Sequence, residues 1–191
     1  MLALYGRKGE NTVHIQYKNG CSSSPWRTSH VSSARLTHFI FAIVFLIVYL
    51  AGKSKRGTGL SSAPFIYLVV TLPVLYLGSA ISDWDISFFG IGGHRNPLFH
   101  SSMAYFVLLA LDRWTGLTAL LPSLMSAIYI SFALGLSSHL VLDVIQYGNV
   151  QWIPGGTLDR LWLTANAVVL AIAAWFASAA PKSTPNQQGL S

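Results

Sequence analysis

Between Ser82 and Ser102 the chain reads SDWDISFFGIGGHRNPLFHSS, which places Asp83, Asp85, His94, Arg95 and His100 within 18 residues. Only 9% of the chain is charged, so this density of ligands calls for a reason. Two carboxylates two apart at a helix end can bind one divalent cation or bridge two, and oxygen ligands combined with imidazole suit zinc or manganese. Alternatively the acid pair simply terminates an apolar segment. His94 and His100 add two imidazoles. Arg95 has the planar fork that grips phosphate or carboxylate bidentately, its other reading being a cation snorkelling to a membrane interface. A second grouping lies in SSHLVLDVIQYG, where His139 and Asp143 are four apart. On a helix that spacing brings both side chains to one surface, with Cβ atoms roughly 5–6 Å apart, suiting two ligands of one cation or a hydrogen-bonded pair within a bundle. An ionisable residue inside a membrane span is costly and is by default a functional candidate.

The elements that must position these residues are apolar. The 191 residues are 52% hydrophobic, more than a soluble domain of this size needs for its core, and a polytopic, all-α membrane bundle is expected. Five runs have the length and composition of spans: Leu36–Ala51 with Val31–Arg35 at the interface, Pro64–Ile81 bent by Pro73, Pro97–Leu111, about Thr118–Tyr147, and Leu161–Ala179. Asn96 followed by Pro97 reads as an N-cap and first helical position, which puts His100 in the first turn of the third span, where backbone N–H groups favour an anion. Residues 1–30 form a polar tail with one short strand at TVHIQY, 31–180 one helical membrane domain, and 181–191 a tail of disordered composition. The net charge of +6 is spread thinly, without the basic cluster of a nucleic-acid groove, so no nucleic-acid partner is expected.

With antiparallel neighbours, Asp83, Asp85, His100, His139 and Asp143 all arrive at one membrane face, together with Arg95, Trp152, Asp159 and Arg160 in its loops. Five of the six acidic residues fall between Asp83 and Asp159. The single cysteine, Cys21, reads as a free thiol, and GIGG at 90–93 lacks the strand and the Lys of a phosphate loop. His14, His30 and His38 lie away from any partner in the sequence and are expected to be ordinary. Cations near the membrane divide five against five between the two faces, so their distribution assigns no orientation.

The ordered set DWD, HR, HS, SHLVLD and WIP, spread over about residues 72–166, resembles the YdjM-type family of bacterial inner-membrane proteins, described as membrane-bound metal-dependent hydrolases distantly similar to the zinc phospholipase C and P1 nuclease group. The resemblance implies that Asp83, Asp85, His94, His100, His139 and Asp143 hold one or two metal ions, zinc or else manganese, with Arg95 beside them. This chain has Asn96 and Phe99 where the family often carries Gly and Thr, and Ser82 where Pro is usual. The expectation is a membrane-embedded hydrolase of a phosphoester, with a membrane lipid phosphate or phospholipid as substrate. Asp83 or Asp85, if not coordinated, would take the proton of the attacking water, and Arg95 would meet the phosphate. A rival from another class is a non-enzymatic assembly factor or subunit that binds a metal or pigment through the same cluster and docks a protein partner through residues 1–30. A permease is the third reading; it requires ligands at mid-depth, whereas these gather towards one end.

Overall fold

The computed structural model describes residues 26–54, 64–90, 95–146, 150 and 157–177. These form seven helices: α1 (Trp26–Ser54), α2 (Pro64–Ala80), α3 (Trp84–Phe89), α4 (Met103–Thr115), α5 (Leu117–Leu120), α6 (Pro122–Ile145) and α7 (Thr157–Ala177), with a 3-10 turn at Ile81–Asp83 joining α2 to α3. Among the described residues there is no strand, and the all-α helical bundle is as expected. The strand proposed at TVHIQY and the boundary at 180/181 lie outside the described residues, whereas α1 begins at Trp26, inside the stretch expected to be the polar tail.

Three helices are long and apolar enough to cross a membrane: α1 over Arg35–Lys53, α6 and α7. The second and third of the five expected runs are shorter than these three. As described, α2 has 17 residues and α4 only 13, roughly 26 and 20 Å of helix against a hydrocarbon core of about 30 Å. The third run is displaced along the chain for local reasons, starting at Met103 and ending at Thr115 where Pro97–Leu111 was expected. Asn96 Oδ1 accepts the Leu98 N–H at 3.0 Å, closing a turn that does not propagate, and Ser101 Oγ then donates to the Leu98 carbonyl at 2.7 Å. Helix α4 therefore starts at Met103, not at Pro97. It ends at Gly116, which adopts φ +70, and the Asp112 carboxylate accepts both the Thr118 N–H and hydroxyl, which holds its carboxyl below the usual range. The fourth run is likewise split at Leu121, because Pro122 begins a new helix.

Helix α6 is the axis of the bundle and packs against α1, α2 and α7. Of its span 72% is buried, against 17% in α1 and 22% in α7, whose large outward apolar side chains fit a lipid surround. Helices α2 and α6 run parallel, and α7 runs back along α6, with Ser137 Oγ donating to Ala167 O at 2.9 Å and Ser126 Oγ to Ala177 O at 2.8 Å. At the far end of α1, Lys53 Nζ stands 4.2 Å from the Trp175 ring centroid and 5.9 Å from that of Tyr49, a cation held over two aromatic faces.

The contact between α2 and α6 is the tightest. A Cβ added at Gly78 would lie 2.5 Å from the Phe132 carbonyl oxygen, and one added at Gly135 would come closer still to that of Leu75. Two glycines thus let two backbones approach to a distance no other residue permits, the small-residue packing used between membrane helices. Gly135→Ala and Gly78→Ala are each expected to destabilise the bundle by about 1–3 kcal/mol, the range for overpacking, read as a lower midpoint of thermal unfolding in detergent. Gly52→Ala is the control, since nothing lies within 4 Å of its added Cβ, and it should leave the midpoint no lower than in wild type.

Candidate metal centre

The close approach of α2 to α6 fixes the orientation of one histidine. Ser79 is in the last turn of α2, where carbonyls lose their intrahelical partners, and its oxygen lies 2.7 Å from His139 Nδ1. A carbonyl only accepts, so Nδ1 carries the proton and donates it. When the ring is neutral, this leaves a bare lone pair on Nε2. That atom is buried and without a hydrogen bond, and it faces Asp143 Oδ2 at 3.4 Å and Asp83 Oδ1 at 3.8 Å. Three acceptors turned towards one another repel unless positive charge lies between them.

His100 comes from the other side. Its ring is fully buried, with Nε2 3.4 Å from Asp143 Oδ2 and Nδ1 3.4 Å from Asp85 Oδ2. Ligands bonded at roughly 2.0–2.1 Å in a tetrahedron stand about 3.4 Å apart, so the His139–Asp143–His100 edges have the length a small cation requires. These three residues form one group able to hold a metal ion, each offering an atom within 4.8 Å of the others. His38, Asp83 and His139 form a second. Both groups use His139, whose Nδ1 is committed to Ser79, so a single lone pair serves them. Any second ion would have to be shared through a carboxylate instead of this ring.

The turn bearing His100 is tied down on three sides. Asp85 Oδ2 accepts the Asn96 N–H at 3.0 Å, Trp162 Nε1 donates to the His100 carbonyl at 3.0 Å, and Asn166 Oδ1 accepts from both the N–H and hydroxyl of Ser102 at 2.9 Å. His100 is therefore held by side chains of α3 and α7 in a turn that precedes α4, a correction to its expected place inside the first turn of a span. Arg95 has φ +65, a left-handed conformation that costs a non-glycine residue energy. Its Nη2 lies 3.8 Å from Asp143 Oδ1, its side chain is 27% exposed, and its Nε is buried without a hydrogen bond.

Of the residues proposed from sequence, Asp83, His100, His139, Asp143 and Arg95 come together at one end of the bundle. Asp85 stands behind His100, completely buried, where it orients the imidazole; it joins neither group of candidate ligands among the described residues. His94 and Trp152 lie outside the described residues. Asp159, placed in a loop by the sequence reading, is in the first turn of α7, buried, with neither oxygen hydrogen-bonded.

One expectation is overturned. His38 is not an ordinary residue at the edge of a span: its ring stacks on that of His139 with centroids 4.1 Å apart and planes 17° from parallel, and only 7% of it is exposed. The available signal was an ionisable side chain within an apolar run, which by itself marks a functional candidate. The chain matches no protein-family model, no curated protein and no solved structure. The reading of the site therefore rests on its own geometry.

His139→Ala and Asp143→Asn are each expected to remove bound divalent metal, measured by plasma mass spectrometry on purified protein, without loss of membrane insertion. His38→Ala should weaken retention under chelator. Asp85→Asn should lower affinity by about 10–100-fold, the usual consequence of losing a carboxylate that orients a ligand imidazole.

Proposed function

We propose that the protein is a membrane-embedded, metal-dependent hydrolase acting on a phosphoester, with a lipid phosphate or phospholipid as the substrate class. The observation that carries this reading is the opposition of bare acceptors, His139 Nε2 against Asp143 and Asp83, in a buried pocket flanked by a partly exposed guanidinium. The nitrogen and oxygen donor set fits zinc, with manganese next. His100, His139 and Asp143 would hold the ion, with Asp83 and His38 completing or sharing it. Such an ion polarises a phosphoester oxygen and lowers the pKa of a water molecule.

The chain's own groups divide the remaining work. Asp83 is the more exposed carboxylate, with 14% of its side chain open, and where it is not itself a ligand it would accept the proton of the attacking water. Asp85, with Oδ2 occupied by the Asn96 N–H and the His100 ring, holds that ring in place and is reassigned from base to orienting group. Arg95 offers its guanidinium to the phosphate oxygens as charge builds on them. The resemblance of the DWD, HR, HS and SHLVLD motifs to membrane-bound metal-dependent hydrolases supports the same reading, and with it we propose a bacterial inner-membrane setting.

His139 is six residues from the end of α6 and His38 three residues into the span of α1, so the centre lies near one membrane face. That depth favours an amphiphile whose tails stay in the bilayer over a solute conducted across it. Arg95→Lys separates turnover from passive metal binding, because an ammonium keeps the charge and loses the planar fork. Release of water-soluble phosphate from a panel of lipid phosphates and phospholipids in detergent should fall at least about tenfold in Arg95→Lys, a loss of ~1.4 kcal/mol of transition-state stabilisation, while metal content stays at the wild-type level. If metal-replete wild type turns over no member of the panel, or if Arg95→Lys strips the metal, the chain is instead a metal- or pigment-binding subunit.

A further inference from the structure

A second feature lies on the other side of α6. A cleft of about 250 Å³ opens between α1, α6 and α7, lined by Phe45, Val141, Ile145, Thr164, Val168 and Ala171, and its walls are almost wholly apolar. Val141 is two residues before Asp143, and Ser137, also in its wall, two before His139; at about 100° per residue each lies roughly 160° round the helix from its partner in the metal centre. The cleft is therefore separate from the His and Asp cluster. Water gains nothing from such walls, and all three helices that form them are long and apolar enough to lie in a membrane. Hydrocarbon is the filling their chemistry selects.

The end of the cleft has a different character. Thr164, Ala167 and Ala171 recur at helical spacing on one stripe of α7, and Arg160 occupies the same stripe one turn earlier. Arg160 is exposed, whereas its neighbour Asp159 turns inward and is 1% exposed. The stripe thus runs from a cation at the membrane surface down into an apolar trough. We infer that this cleft is a binding site for an anionic phospholipid, one acyl chain lying between α1, α6 and α7 and the headgroup phosphate meeting Arg160.

This inference goes beyond the hydrolase reading and does not depend on it. Full-length protein, purified in mild detergent and washed free of lipid, would be offered phosphatidylglycerol or phosphatidylcholine vesicle lipid and weighed by native mass spectrometry. Wild type should retain one phosphatidylglycerol per chain, in about fivefold preference to phosphatidylcholine, which is the ~1 kcal/mol of one cation near a membrane surface. Arg160→Gln should keep a lipid and lose the preference. Ala171→Phe and Ile145→Trp place bulk in the cleft from exposed positions and should abolish retention with unchanged helical circular dichroism and elution volume. His139→Ala should retain lipid as wild type does, which distinguishes failure here from failure of the metal centre. Retention unaffected by both bulky substitutions, several weak adducts without headgroup preference, or a dimer that excludes lipid would each overturn the proposal.

Discussion

The buried cluster of histidines and aspartates depends on a contact made by two residues without side chains. Gly78 and Gly135 bring the backbones of α2 and α6 so close that a single methyl group on either would strike the other helix. This approach carries the Ser79 carbonyl to His139 Nδ1, and that hydrogen bond decides which nitrogen bears the proton and which presents a lone pair. Everything else in the cluster is arranged around that lone pair. A slightly wider separation would leave the ring able to turn, and Asp143 and Asp83 would face no fixed ligand.

Burying three imidazoles and several carboxylates at the edge of a membrane is expensive, and the surrounding groups offset the cost by specifying each one. Asp85 faces His100 and the Asn96 amide, the Ser79 carbonyl accepts a hydrogen bond from His139 Nδ1–H, and His38 lies flat against His139. Arg95 is held in a left-handed conformation beside Asp143, between an ordered turn and the end of α3. The Trp162 and Asn166 bonds make α7 a brace for the His100 turn, so a helix that supplies no ligand still sets the position of one.

The apolar runs made most of the fold legible, because long stretches without charge have one stable form in a bilayer. The pairing of His139 with Asp143 was legible for a similar reason: helical spacing converts directly into proximity. The turn at Asn96 was misread, since an Asn-Pro pair announces a helix start equally well whether the helix continues or the next serines take over its carbonyls. His38 was missed because its partners are about 45 and 100 residues away in sequence, and a lone histidine carries no local pattern. The glycine contact and the Ser79 carbonyl were invisible for a deeper reason. Backbone atoms occur at every position, and only the packing of two helices shows which of them will be used.

The cation clasped by Tyr49 and Trp175 gives α1 a fixed point at the surface opposite the metal centre. From Lys53 back to His38 is 15 residues, roughly 22 Å of helix, whereas a bilayer's hydrocarbon layer is about 30 Å deep. Anchored at one boundary, α1 works as a ruler on which His38 is a mark several ångströms short of the other. The thickness of the host membrane then sets how deep the histidines lie beneath that boundary. Lipid chain length becomes a property of the centre, although no lipid chain touches it.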